Sequence, residues 1–146
     1  MDMELLKNLV DYGVIVLLIF MSFIAVMLFI ERLFFYRKID VNKYKNKKQL
    51  DIALTKNLTF IGTIASNSPY IGLLGTVLGI MLTFYSMGEN GVMDSGKIMM
   101  GLALALKVTA VGLLVAIPAV TIYNLLLRKC KVMLTQWEIN NGRERI

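Results

Sequence analysis

Three long uncharged runs constrain the fold of this 146-residue chain more than any other feature of its sequence. A helix needs roughly 20 apolar residues to cross a bilayer. The runs predict spans at about residues 12–30, 70–87 and 108–127. Lipid offers the backbone no hydrogen-bond partners, so helices are the expected structure. We therefore expect an all-α, polytopic membrane protein with three transmembrane helices, and a single domain over residues 1–146.

The alternative is a soluble protein in which the three apolar helices form a buried core. The chain is 57% hydrophobic, above the roughly 45–50% of ordinary soluble domains. Too little polar sequence remains to cover three such helices, so composition disfavours this alternative. The second uncharged run, 57–88, begins with polar residues. Its first part therefore predicts a helix outside or entering the membrane.

The charges that flank the runs predict the orientation of the chain. Residues 1–11 carry a net charge of −2, whereas residues 31–56 carry +5 and residues 128–146 carry +3. Basic segments stay on the cytoplasmic side. We expect an outward-facing N-terminus, and cytoplasmic segments at 31–69 and 128–146 in which the helices continue. The acidic start lacks the basic region of a cleaved signal peptide.

The net charge of +6 is compatible with either anionic lipid or nucleic acid as a partner. Basic residues beside a span gain about 1 kcal/mol each from anionic headgroups. In the basic loop, Tyr36 and Tyr44 are the rings that could stack on bases, and no nucleic-acid motif surrounds them. We expect headgroup contacts, not nucleic-acid binding, at Arg37, Lys38, Arg128 and Lys129.

The residue inventory narrows the possible chemistry. The chain has no His and one Cys, which excludes imidazole chemistry, an intramolecular disulfide and a multi-Cys zinc site. We expect neither an enzyme nor a metal or cofactor site, because no nucleophile–base pair or phosphate loop is visible. Cys130 is expected to be an inert thiol in a reducing compartment. The three predicted spans contain no Asp or Glu, so the sequence offers no carboxylate relay of its own.

The second and third spans carry small residues at helical spacing, whereas the first span is bulky and predicts a peripheral, lipid-facing helix. Small residues let two helix backbones approach closely, and packing within one subunit is the simpler interpretation of both stripes. Pro118 lacks an amide hydrogen and predicts a local bend. The predicted packing residues are Gly72, Gly75, Gly79, Gly101, Ala105, Gly112, Ala116 and Pro118.

Four polar residues lie in or beside these stripes: Thr76, Thr83, Thr109 and Lys107. A threonine hydroxyl in a helix can bond back to a carbonyl one turn earlier, or it can face a polar pathway. Lys107 is the ionisable residue nearest the interior of the spans, and such groups are functional candidates. Its alternative role is to extend towards the outer headgroups. These four residues are the candidate pathway residues.

Two blocks of sequence carry a family resemblance. Residues 65–88, ASNSPYIGLLGTVLGIMLTFYSMG, match the pattern P-x-x-G-L-x-G-T-V-x-G. Residues 103–124, ALALKVTAVGLLVAIPAVTIYN, match A-L-x-x-T-A-x-G-L-x-x-A-I-P-A-x-x-x-Y-N. With these blocks the chain resembles the ExbB/TolQ/MotA family of proton-driven inner-membrane motor subunits, and most closely its ExbB branch. The three-span, N-out arrangement expected above is also the family's arrangement.

The resemblance implies a pentamer in the bacterial inner membrane, whose second and third spans surround a pore holding the helices of an ExbD-like subunit. Proton-motive force would drive motion that a TonB-like protein passes to outer-membrane transporters. Thr76 and Thr109 match the family's pore-facing threonines, which neighbour the partner's essential Asp. The alternatives are a TolQ-type role in envelope maintenance and a non-conducting membrane scaffold.

The chain departs from the family at one acidic position. Many members carry Glu five residues before the third-span Thr, where this chain has Leu104. Lys107, one turn later, has no familiar counterpart. Either Lys107 pairs with an acidic group on the partner or lipid, or proton handling depends on the partner's Asp and the threonines.

Overall fold

The computed structural model describes residues 3–91 and 94–142 of the chain. Its elements are α1 (Met3–Lys38), a 3₁₀ turn (Val41–Lys43), α2 (Lys47–Thr55), α3 (Leu58–Asn90) and α4 (Ser95–Asn140). Helices α1, α3 and α4 are long and apolar enough to cross a membrane. The predicted all-α fold with three candidate spans is therefore confirmed. Residues 143–146 of the predicted cytoplasmic tail lie outside the described residues.

Polar side chains and one glycine mark where the helices begin and end. The Asp94 carboxylate caps α4 by accepting a hydrogen bond from the amide of Gly96 at 2.9 Å. Asn46 caps α2 in the same way, through the amide of Lys48 at 2.8 Å. Helix α3 ends at Gly91, whose φ of 67° is left-handed and favours glycine.

Helices α3 and α4 form a close antiparallel pair. A Cβ atom on Gly72 would lie 3.2 Å from the Cα of Gly112, and one on Gly112 would lie 2.8 Å from the carbonyl oxygen of Ser68. Further along the pair, a Cβ on Gly62 would lie 2.9 Å from the ring of Tyr123. These positions leave no room for a side chain, so the backbones touch where the small residues meet.

Helix α1 packs against α3 and α4 along one narrow stripe. Its buried residues Asp11, Leu18, Ala25 and Arg32 recur every seven positions, the spacing that keeps one helix in contact with a neighbour. The other faces of α1 carry large exposed apolar side chains such as Phe23, which is 67% exposed. Helix α1 is thus peripheral in the bundle, with a buried polar residue near each end of its stripe.

Helix α2 closes one end of the bundle. The buried cluster at this end comprises Tyr36, Leu50, Leu54, Leu58, Ile61, Leu126, Cys130 and Trp137. Arg32, which is 1% exposed, donates hydrogen bonds to the carbonyl oxygens of Ala53 at 2.8 Å and Leu54 at 3.3 Å. These carbonyls belong to the last turn of α2 and lack partners within the helix. Arg32 therefore ties α2 to α1.

Contacts between the helices set their register. Asp11 lies opposite Gly79, and Val14 lies opposite Gly75. Because all helices rise at the same rate, residues 12–30 of α1 lie level with roughly 60–78 of α3 and 106–124 of α4. The predicted second span, about residues 70–87, thus begins some ten residues later than the segment of α3 that packs beside the first span.

Candidate functional site

Thr76 and Thr109 meet in the contact between α3 and α4. Their hydroxyl oxygens are hydrogen-bonded to each other. The Thr76 hydroxyl also lies 2.8 Å from the carbonyl oxygen of Ala105 and 3.2 Å from that of Gly72. The Thr109 hydroxyl lies 3.5 Å from the same Gly72 carbonyl. The fold therefore brings two threonines from different helices into one unit, which we call the hydroxyl pair.

Small residues make room for the hydroxyl pair. Gly72 and Gly112 bring the two backbones together on one side of it. On the other side, a Cβ on Gly75 would lie 2.6 Å from the Val108 side chain, and Ala105 is completely buried. Larger side chains at these positions would separate the helices and, with them, the two hydroxyls.

The hydroxyl pair has more acceptors than protons. Each hydroxyl has one proton to donate and two lone pairs, whereas Thr76 alone has three oxygen atoms within reach. The donor can therefore change without movement of the helices. Thr76 is 7% exposed and Thr109 is half-buried. Water or a partner helix would therefore reach the pair from the Thr109 side.

Thr83 and Lys107 lie apart from the hydroxyl pair. Thr83, which is 5% exposed, donates a hydrogen bond to the Gly79 carbonyl at 2.8 Å, two turns along α3 from Thr76. It packs against Gly101, where a Cβ would lie 2.6 Å from its hydroxyl oxygen. Lys107 is exposed on α4. Back-bonding thus occurs at both Thr76 and Thr83, and Thr76 in addition forms hydrogen bonds with α4.

The predicted packing residues lie between helices, with the exception of Pro118. Five glycines each face a neighbouring helix: Gly72, Gly75, Gly79, Gly101 and Gly112. Ala105 and Ala116 are buried, whereas Pro118 is exposed and α4 continues through it without a break. The four basic residues predicted to contact headgroups are all exposed: Arg37, Lys38, Arg128 and Lys129.

The sequence reasoning missed a buried carboxylate. Asp11 is 0% exposed, and among the described residues neither of its carboxylate oxygens has a hydrogen-bond partner. Asp11 directly precedes the predicted first span and belongs to the acidic segment of residues 1–11. Its position seven residues before Leu18, in the buried stripe of α1, is the signal that could have revealed its burial.

The sequence reasoning also missed the polar contacts beneath the predicted spans. Glu31 accepts two hydrogen bonds from Arg32, which lower the pKa of the Glu31 carboxyl below its usual 4.5. The Cys130 sulfur lies 3.0 Å from the Tyr36 hydroxyl, and burial raises the pKa of the Cys130 thiol. A thiol that stays protonated is a poor nucleophile, in agreement with the expected inert cysteine.

This architecture, three long apolar helices with two packed through small residues around a hydroxyl pair, defines a class of small helical membrane proteins. The chain matches the model of the MotA/TolQ/ExbB proton channel family over residues 26–139. It is 54% identical over 140 residues to the biopolymer transport protein ExbB of Aquifex aeolicus strain VF5, covering 96% of this chain and 95% of the relative. The chain therefore belongs to the MotA/TolQ/ExbB proton channel family.

Two relatives from Helicobacter pylori are similarly close. The biopolymer transport protein ExbB of strain J99 is 52% identical over 138 residues, which cover 94% of this chain and 95% of the relative. The putative biopolymer transport protein ExbB-like 2 of strain 26695 is 54% identical over 134 residues, which cover 92% of this chain and 89% of the relative. The match to ExbB-type biopolymer transport proteins thus extends over nearly the whole length of the chain.

Proposed function

We propose that this chain is the pore-forming subunit of an ExbB–ExbD-type motor in the bacterial inner membrane, where proton-motive force energises TonB-dependent transport across the outer membrane. Membership of a proton channel family supports this function. The observation that carries it is the hydroxyl pair of Thr76 and Thr109 between α3 and α4. Two helices bound through apolar contacts alone would not need hydroxyls at this point.

The proposed membrane slab combines the predicted first span with the register of the helices. It contains residues 12–30 of α1, together with roughly 60–78 of α3 and 106–124 of α4. This placement starts the second span earlier than its hydropathy suggests, and it puts the hydroxyl pair near the outer surface of the slab. Lys107 then lies at the outer boundary, where its ammonium group reaches headgroups. The basic segments lie at the other end of the helices, away from Lys107 and the hydroxyl pair. Basic segments stay in the cytoplasm, so the N-terminus is periplasmic and the C-terminus cytoplasmic.

The faces of α3 and α4 that point away from each other support an oligomer around a partner helix. They carry exposed apolar side chains, including Leu73 and Val77 on α3 and Leu113 and Ile117 on α4. Five copies would bury these faces against one another and around the helices of an ExbD-like subunit. A TonB-like protein would transmit the motion, and anionic phospholipids would contact the exposed basic residues at the cytoplasmic boundary.

Within this motor the threonine hydroxyls act beside a titrating acid of the partner. The hydroxyl pair orders water or passes a hydrogen bond between its two oxygens, while the partner's carboxylate binds and releases the proton. Leu104, half-buried on α4, contributes no acid where many relatives carry Glu. The partner's carboxylate therefore has the larger share of proton handling in this chain.

Substituting Thr109→Val tests the role of the hydroxyl pair. The change removes one hydroxyl, while Thr76 keeps the carbonyl oxygens of Ala105 and Gly72 as acceptors, so the helix pair should persist. We expect energised uptake of a TonB-dependent substrate to fall about tenfold or more, in line with the loss of one functional hydrogen bond. The measurement is uptake in cells that co-express the ExbD-like subunit, with assembly checked by co-purification.

Thr121→Val is the matched control. Thr121 is exposed on the same helix and bonds back to the Ile117 carbonyl at 3.0 Å, so its loss should leave uptake unchanged. Normal uptake by the Thr109→Val variant would remove the proton-pathway role and favour a non-conducting scaffold. Normal uptake combined with a defective outer envelope would favour the TolQ-type role.

Lys107→Met should be tolerated better than Thr109→Val. Lys107 is exposed and near the proposed outer boundary, where methionine covers the same surface and lacks only the charge. We expect uptake within about twofold of the wild type, since exposed charges contribute little. Complete loss of uptake with normal assembly would instead make Lys107 part of the mechanism.

A further inference from the structure

Asp11 lies where all three long helices meet. Its Oδ1 atom is 2.9 Å from the point that a Cβ on Gly79 of α3 would occupy, and that same point is 3.1 Å from the Ala105 side chain of α4. The carboxylate therefore fills the space that the missing side chain of Gly79 leaves. A residue at the edge of a span would ordinarily turn its charge to solvent, yet Asp11 is 0% exposed.

The surroundings of Asp11 do not neutralise a negative charge by direct contact. Among the described residues Asp11 forms no hydrogen bond or ion pair. Lys7, one turn earlier on α1, is the charged group whose field reaches it. The neighbouring positions of α3 and α4 are uncharged: Gly79, Thr83, Gly101 and Ala105. Burying an unpartnered carboxylate is costly, and binding a proton removes that cost.

Asp11 continues the line of polar groups that the hydroxyl pair begins. Gly79, which faces Asp11, is three residues from Thr76 and four from Thr83, or about 4.5 Å and 6 Å of helix rise. On the outer side, Lys7 and Thr83 both contact the position of Gly101. Lys7 and Thr83, then Asp11, and then the hydroxyl pair therefore lie at successive levels along the helices from the outer end of the bundle inward.

We propose that Asp11 is a proton-binding site of this chain, loaded from the outer side past Lys7 and Thr83. In the loading step a hydronium ion transfers its proton to a carboxylate oxygen of Asp11, which leaves water and a neutral carboxylic acid. Release of that proton towards the hydroxyl pair restores the carboxylate. The contribution of Asp11 to the proton-driven motion rests on the proposed function, whereas proton binding by Asp11 does not.

Infrared spectroscopy tests proton binding directly. This chain, labelled with ¹³C-aspartate, is reconstituted in lipid with its unlabelled partner. The complex should show an isotope-shifted carbonyl stretch of an aspartic acid at pH values where exposed aspartates are ionised. This band should decrease as the pH rises and should be missing in the Asp11→Asn variant. The control is Asp94→Asn, which changes an exposed aspartate and keeps a good helix cap. A wild-type spectrum without this band, or with a band that does not respond to pH, would overturn the proposal even if the variant fails to fold.

Uptake measurements separate this proposal from the proposed function. With the ExbD-like subunit present, Asp11→Asn should assemble and reduce energised uptake about tenfold, while Asp94→Asn should not. If Thr109→Val abolishes uptake and Asp11→Asn leaves it normal, Asp11 is off the route and the proposal fails while the motor function stands. If the Asp11 band titrates but Thr109→Val has normal uptake, the proposed function of the hydroxyl pair fails and proton binding at Asp11 stands.

Discussion

Glu31 and Arg32 form the charged pair that lies just beneath the first span. Arg32 is buried, and its guanidinium group lies 4.3 Å from the centre of the Phe35 ring while it donates to α2 carbonyls and to Glu31. Glu31 also accepts a hydrogen bond from the Asn57 side chain at 3.3 Å, at the start of α3. One carboxylate of α1 therefore contacts both the buried arginine of the same helix and the start of α3.

The pair gives the protein a specific dependence on pH. Because the pKa of Glu31 is lower in the folded protein than its usual 4.5, the carboxylate stabilises the fold above pH 4.5. This contribution disappears as the pH falls through the folded-state pKa. We expect Glu31→Gln to melt below the wild type at pH 7 and the difference to shrink in acid, by thermal denaturation in detergent. A difference in melting temperature that grows in acid would contradict the predicted sign. The control is Glu138→Gln, which removes one partner of the exposed ion pair between Lys47 and Glu138.

At the scale of helices, the close contact of α3 and α4 depends on glycine at specific positions. A Cβ on Gly112 would lie 2.8 Å from the Ser68 carbonyl oxygen and 3.0 Å from the Cα of Gly72, and backbone cannot move aside as a side chain can. Gly112→Ala should therefore destabilise the protein by about 1–3 kcal/mol, measured as a lower melting temperature in detergent.

Gly13→Ala is the control for this prediction. Gly13 has no neighbouring atoms within 4 Å of a Cβ, so alanine there should be neutral or stabilise α1 by up to about 1 kcal/mol through its higher helix propensity. Equal melting temperatures for Gly112→Ala and Gly13→Ala would contradict the account of a contact between backbones.

The sequence predicts the helices well and their register poorly. Long uncharged runs identify three helices because the hydrophobic effect requires them, and regular spacing identifies small residues that pack. Sliding one helix by a turn preserves such spacing, so the pairing of Gly72 with Gly112 could not be predicted. In the proposed membrane placement the second span also begins earlier than its hydropathy suggests. The hydroxyls of Thr63 and Ser66 bond back to the carbonyls of Thr59 at 2.7 Å and Gly62 at 2.9 Å, which lowers their cost in lipid.

The candidate site could be predicted only in part, again because the register of the helices could not be predicted. The sequence named Thr76 and Thr109 but could not say that their hydroxyls meet, because that contact depends on the register of α3 against α4. The seven-residue spacing of Asp11 from Leu18 is a signal of its burial. The contact of Asp11 with Gly79 of α3 depends on the register of the helices, which no local pattern in the sequence reveals.

At the scale of the whole molecule, the fold of one chain leaves apolar faces of α3 and α4 exposed. The described part of the bundle has a buried core at the α2 end, whereas α3 and α4 expose apolar side chains along most of their length. In the proposed motor these faces are covered by further copies and by an ExbD-like helix, so assembly and function depend on the same surfaces.

The central claim is tested most directly by the mass of the assembled complex. This chain would be co-expressed with its ExbD-like subunit, purified in mild detergent through a tag on that subunit, and weighed intact by native mass spectrometry. We predict five copies of this chain together with a smaller number of partner copies. A chain that does not co-purify with the partner, or a complex that contains a number of copies of this chain other than five, would contradict the account.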